Sequence, residues 1–275
     1  MHSAGGVRES VQAYGVDLSF VRAGSGPPAL LLHGTLWSRV WEPVLTAVGE
    51  RAEAFALDLP GFGRSGGRLV REEADVPSLA RVVRRFLDVV GIRGEYAVAG
   101  HDIGGAIAQH LVVHDRRAAR LALVNSVLYD SWPVPTVARF RDPEVLRTTT
   151  PDDLVRQRSE ALSKLLAHEP SPDEREAWVE PWRDPDRAAS WMALAGAADP
   201  RHTQDLVPAL RHRGLPTHLI WGTDDEFQRL GYAERYACEI PGAILHRVSG
   251  ARHVPMHDDP ATTGPLLRDA LAGSE

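Results

Sequence analysis

Residues 100–104 read Gly-His-Asp-Ile-Gly, and the carboxylate at their centre is the group best placed for chemistry. The apolar run at 95–99 reads as a short buried strand, and 104–113 reads as a helix. Gly105, Ala106 and Ala108 are small where that helix must approach a sheet. Asp102 is therefore expected on a sharp strand-to-helix turn, the setting that presents a nucleophile. A serine there makes an acyl-enzyme from an ester. A carboxylate attacks saturated carbon and makes an alkyl-enzyme ester, which water then cleaves. That chemistry opens C–O or C–X bonds. Gly and Asp are also ordinary turn residues, so the motif needs partners elsewhere in the chain.

The partners follow other apolar runs. Residues 28–32 lead into His33-Gly34-Thr35, and 54–57 lead into an Asp58-to-Ser65 turn containing Gly61, Gly63 and Arg64. Residues 215–221 lead into Gly222-Thr223-Asp224-Asp225, and 243–248 lead into Gly250-Ala251-Arg252-His253. His253 can activate water because an imidazole titrates near neutral pH. A carboxylate after the 215–221 strand can orient it and stabilise its charged form. Nucleophile, acid and histidine then occur in one of the known chain orders for such triads.

With these four motifs in this order, the chain resembles the α/β-hydrolase family, in its aspartate-nucleophile branch of epoxide hydrolases and haloalkane dehalogenases. The resemblance runs from about Tyr14 to the C-terminal helix. It implies an α/β fold, a mostly parallel sheet flanked by helices with an inserted helical cap. It implies catalysis by Asp102, His253 and Asp225. Asp225 rather than Asp224 fits the family's Trp-Gly-x-x-Asp pattern, counted from Trp221. Some relatives carry the acid after the sixth strand, where this chain has Asn125-Ser126. The backbone N–H groups of Thr35 and Ile103 are the implied oxyanion hole. His33, Asp58 and Arg64 are expected to order their loops.

Opening an epoxide needs an acid for the leaving oxygen, which many epoxide hydrolases take from cap tyrosines. This chain has no tyrosine between Ser131 and Gln228, and Tyr129 stands at the entrance. Some relatives with an Asp-Ile-Gly elbow use a cap histidine with a tyrosine, which nominates His168 or His202. A halide leaves as an anion and needs only N–H donors. The usual ones, a tryptophan after the nucleophile and an asparagine after His-Gly, are Ile103 and Thr35 here. Ile103 also excludes the arginine that haloacetate dehalogenases place after the nucleophile. Trp37, Trp132, Trp178, Trp182 and Trp191 can donate to a halide, or simply pack. The expected pocket residues are Trp37, His101, Tyr129, Trp132, Trp182 and His202. Epoxide hydrolysis to a diol is the preferred reading, with haloalkane or haloacid dehalogenation second. A biosynthetic enzyme using Asp102 as a base is third.

The 275 residues allow one large α/β domain with an insertion. Strand and helix patterns alternate, with a helix over 76–90 and a strand over 118–124, which implies a parallel sheet. Between 129 and 210 the strand pattern stops. Prolines punctuate short helical stretches, and four of the seven tryptophans fall there. Residues 129–210 are read as the cap, and 1–128 with 211–275 as the core. Residues 1–10 read as a loose tail. Net charge is −6 with no basic patch carrying interleaved aromatics, so nucleic acid is not an expected partner. No run is long enough to span a membrane, and no apolar leader is seen. The lone Cys238 excludes an internal disulfide and reads as a buried helix residue in a cytoplasmic protein. No cofactor or metal is expected. His110 and His114 have ligand spacing but read as ordinary helix residues. The expected partner is a small-molecule substrate, with a homodimer left open.

Overall fold

Apolar runs too short for helices pair here into one eight-stranded sheet, in a computed structural model that describes residues 6–272. Val7–Ala13 (β1) and Val16–Ala23 (β2) form a hairpin, and β2 runs antiparallel to β4, Glu53–Leu57. The remaining pairings are parallel. They join Pro28–Leu32 (β3), Tyr96–Asp102 (β5), Ala118–Ser126 (β6), Thr217–Gly222 (β7) and Ala243–Val248 (β8). The order is β1-β2-β4-β3-β5-β6-β7-β8. From β3 the chain winds outward to β4, then returns to β5 on the other side. At such a reversal the loops leaving the carboxyl ends of neighbouring strands diverge and open a crevice. Here those strands are β3, leading to His33–Thr35, and β5, ending at Asp102.

Residues 7–10, expected in a loose tail, are strand. The reason is a long-range anchor: Arg8 pairs with buried Asp58 at 2.8 Å and donates to Ser19 Oγ at 2.9 Å. Residues 1–5 of that tail lie outside the described residues. Cys238, expected to be buried, is exposed on the helix Leu230–Glu239, whose inward positions are taken by Ala233 and Tyr236.

The helix Ile103–His114 packs close to the sheet because Gly104 and Gly105 leave no bulk where its first turn meets the strands. A Cβ on Gly104 would come within 2.3 Å of the Leu32 carbonyl oxygen and 2.5 Å of that of His33. That contact wedges the helix start between the β3 loop and β5, so Asp102 and Thr35 become neighbours.

Between β6 and β7 the described elements are all helical. The prolines that break the sequence pattern are mostly helix starts, with the ring in the first turn where no N–H is needed. Pro151–Leu165 opens on a capping box of Thr150 and Asp153, and Pro172–Val179 and Pro185–Gly196 are capped by Ser171 and Asp184. We propose 129–210 as the extent of the cap, with the helix Val207–Arg213 straddling its end. Two indole N–H groups clamp these helices to the core from opposite sides. Trp37 donates to the carbonyl of Trp178 at 3.1 Å, and Trp191 donates to that of Thr35 at 3.0 Å. Among the described residues no helix is long and apolar enough to cross a membrane.

Candidate active site

Asp102 has φ +54° and ψ −124°, backbone angles that an L-residue adopts only when its surroundings force it. The forcing is visible on both sides. The carbonyl of Asp102 accepts from Val127 N–H at 2.9 Å, and the next residues enter the helix at once. The turn throws the carboxylate over the loop after β3. Thr35 grips it there: its backbone N–H donates to Oδ2 at 2.9 Å and its hydroxyl to the same oxygen at 2.7 Å. Gly34 must be glycine for this, since a Cβ would meet the Asp102 side chain at 2.4 Å. No hydrogen bond from Ile103 to the carboxylate is present among the described residues.

His253 follows β8 and faces the same carboxylate, with Nε2 3.9 Å from Asp102 Oδ2. That is beyond hydrogen-bond range; such contacts often tighten only with substrate present. Its Nδ1 donates to Asp225 Oδ2 at 2.9 Å. Asp225 is itself held by Phe227 N–H at 2.7 Å and by Asn125 Nδ2 at 2.7 Å. Asp224 carries none of this: its side chain stays with Thr223 Oγ1 in the turn. His101 sits behind His253, rings 4.8 Å apart, with Nε2 on the His253 carbonyl at 2.8 Å. His33 is likewise a loop anchor, with Nδ1 on the Gly34 carbonyl at 2.8 Å and Nε2 accepting from Leu59 N–H at 2.9 Å. Asp58 accepts from the N–H groups of Ser38 and Arg64.

Charge follows from this packing. Burial alone would lower the His253 pKa, but the carboxylates of Asp225 and Asp102 outweigh it and lift it to about 10. Burial would raise that of Asp102, but His253 and the Thr35 N–H overcome this and hold it well below the usual carboxylate range. His101, buried and beside the cationic His253, is pushed down to about 3 and is neutral. Its Nε2 therefore donates to the His253 carbonyl.

Thr35, Asp102 and His253 line one narrow, part-open cavity of about 30 Å³ under the cap, room for about two waters. Its other polar groups come from Trp132, Thr136, Arg158 and Gln228, and its apolar wall includes Val137, Leu165 and Phe227. Of the expected pocket residues, Trp132 lines it, and its Nε1 is buried without a partner. The others do not. Trp37 is spent on the clamp to Trp178, and His101 lies behind His253. Tyr129 directs its hydroxyl to Glu239 at 3.2 Å, with Arg235 against its ring. Trp182 is one shell out, and His202 lines a separate hollow with Arg71, Asp75 and Asp199. His168 is bound to Glu174 at 3.0 Å on the surface.

Asn125 and Arg158 were missed by sequence reasoning. Asn125 showed only as the absence of a carboxylate. Arg158 had a readable signal: it shares the face of its helix with Leu154, Leu162 and Leu165, where a charge is out of place.

The model of the Alpha/beta hydrolase family matches residues 29–263. Haloalkane dehalogenase 2 of Mycobacterium bovis is 27% identical over 259 residues, covering 88% of this chain and 87% of that protein. An alpha/beta hydrolase fold protein from Burkholderia ambifaria superposes with a TM-score of 0.85 at 24% identity, covering 98% of both chains. A haloalkane dehalogenase from Agrobacterium tumefaciens superposes with a TM-score of 0.83 at 19% identity, again covering 98% of both. With the reversal between β3 and β5 and a family match spanning most of the sheet, this chain belongs to the alpha/beta hydrolase family and is an enzyme.

Proposed function

We propose that this enzyme displaces halide from a saturated carbon through an Asp102 alkyl-enzyme ester, with His253 and Asp225 completing a triad. The observation that carries it is the state of Asp102. One oxygen is locked by Thr35, and the carboxylate faces a narrow cavity beside a histidine–acid pair. Oδ1 attacks the carbon, the C–X bond breaks, and X⁻ leaves. The ester then removes the negative charge of Asp102. With one of its two carboxylates neutralised, the His253 pKa falls, its proton is released to solvent as the one that accompanies the halide, and it becomes a base. It takes a proton from water, whose oxygen attacks the ester carbon. The oxyanion forms on Oδ2, where the Thr35 N–H and hydroxyl already point. Collapse expels the alcohol oxygen, which takes the proton back from His253, and the carboxyl proton left on Asp102 passes to His253, restoring the starting pair.

The lining favours halide over epoxide. Among the described residues, the cavity wall holds no tyrosine and no acid beyond the triad. It does hold an indole N–H without an acceptor, Trp132 Nε1, which suits an anionic leaving group. The dehalogenase relative supports the same choice.

The test is a single turnover in H₂¹⁸O with 1-bromobutane and, separately, styrene oxide, followed by mass spectrometry of the Asp102 peptide. Bromide release with label in Asp102 is expected. Diol with label in Asp102 and no bromide would restore the epoxide reading. Product without label in the protein would make Asp102 a base and overturn the ester route.

A further inference from the structure

Arg158 is the charged group that this reaction leaves unused. It projects from the helix Pro151–Leu165 into the cavity that holds Asp102 and His253. Its guanidinium lies 5.0 Å from the ring centroid of Trp191 and 5.7 Å from that of Trp182. Indole faces attract a cation and set the plane of the fork, but they do not satisfy its N–H groups. Among the described residues Arg158 has no hydrogen bond and no acidic partner, and its Nε is closed off from solvent. The nearby carboxylate is no substitute, because Asp102 is taken by Thr35 and lies against His253. Burial pulls the Arg158 pKa down to about 10, with Asp102 opposing, so it stays a cation at neutral pH. A partly buried cation with no hydrogen-bonded acid of its own, lining a binding cavity, can take that partner from the ligand.

Building on the dehalogenation reading, we propose that Arg158 binds a carboxylate of the substrate, and that the substrates are short organic halides bearing a carboxylate. A planar carboxylate matches the guanidinium fork with two parallel N–H···O bonds. Bound so, it holds the halogen-bearing carbon near Asp102, while the small cavity limits the chain to a few heavy atoms. The task that an arginine beside the nucleophile would perform is thereby moved to the cap, which leaves Ile103 free to be apolar.

The test is calorimetric titration of the whole protein with sodium propionate, propionamide and sodium bromide, none of which requires turnover. Propionate should bind at least ~10-fold more tightly than its uncharged isostere, and Arg158→Gln should weaken it by ~10- to 100-fold, with Arg158→Lys in between. Equal binding of propionate and propionamide by the native chain would overturn the proposal without relying on any variant. Bromide binding that Arg158→Gln abolishes, with propionate unable to compete, would assign Arg158 to the leaving halide and overturn it too. Propionate binding without bromide release from 2-bromopropionate or 1-bromobutane would sink the dehalogenation reading alone. Bromide release from both, without propionate binding, would sink the carboxylate site alone.

Discussion

Asn125 donates its side-chain N–H to Asp225 Oδ2 at 2.7 Å, the same oxygen that His253 Nδ1 reaches at 2.9 Å. Asn125 Oδ1 meanwhile accepts from Gly222 N–H at 2.9 Å. One amide thus ties the end of β6 to the end of β7 and aims the acid of the proposed triad. A carboxylate in this place would be repelled by Asp225, so the residue that holds the acid must be a neutral donor.

Asn125→Ala should therefore cost stability and turnover together. Losing a buried hydrogen bond to a charged group costs roughly 1.5–3 kcal/mol. Asn125 also has φ +39°, which asparagine tolerates better than alanine. Asn125→Gly separates the two effects: it relieves the backbone and keeps the hydrogen-bond loss. Denaturant unfolding should rank native above Gly above Ala, with kcat reduced in both variants. Native-like kcat in either would show that Asp225 needs no such support.

Thr35→Val keeps shape and backbone N–H but removes the hydroxyl from Asp102 Oδ2. In the proposed cycle that oxygen becomes the oxyanion during ester hydrolysis. One lost donor there costs roughly 10²-fold in kcat. The alkyl-enzyme ester should then accumulate and be visible by intact-protein mass spectrometry. A fall in kcat without accumulation would place the threonine in the first step instead.

Much of this was legible in the sequence because the chemistry sits on turns. The Gly-His-Asp-Ile-Gly elbow, the His-Gly after β3 and the Gly-Ala-Arg-His after β8 are local patterns, and local patterns survive reading one residue at a time. Which cap side chains reach the cavity was not legible. That depends on how short helices pack on a sheet edge. Trp37 and Trp191 look alike in sequence, yet in the fold both are spent on clamping. Arg158 was missed because the insertion was read for its breaks, not for the one charge on an apolar helix face. The hairpin over 7–10 depends on Arg8 meeting Asp58, fifty residues away, which no local window contains.

The raised pKa of His253 has a consequence for stability. The ordinary value is 6.5 and the folded value about 10, so the folded state binds the proton more tightly. The stabilisation is complete below about pH 6.5 and is lost as pH rises through about 10. Its ceiling is about 5 kcal/mol. In His253→Gln that pH dependence disappears. The gap in unfolding free energy between native protein and His253→Gln should be constant near pH 5–6 and shrink steadily from pH 7 to 10. A gap that stays level over that range would mean His253 is neutral between its two carboxylates.

Trp132→Phe tests the leaving-group side. It keeps an aromatic wall against the cavity and removes the one indole N–H there without an acceptor. If that N–H receives the departing halide, it acts in the transition state of C–X cleavage, where charge on the leaving atom grows. Its loss should lower the rate of alkyl-enzyme formation by about 10-fold or more. The loss should grow from iodide to bromide to chloride, because the poorest leaving group needs the donor most. Ester hydrolysis, which comes after the halide has left its carbon, should not show that ordering. Rapid-quench measurement of ester formation with a matched set of iodo-, bromo- and chloroalkanes gives both numbers. An equal loss for all three halides would return Trp132 to packing and leave the halide without an indole donor.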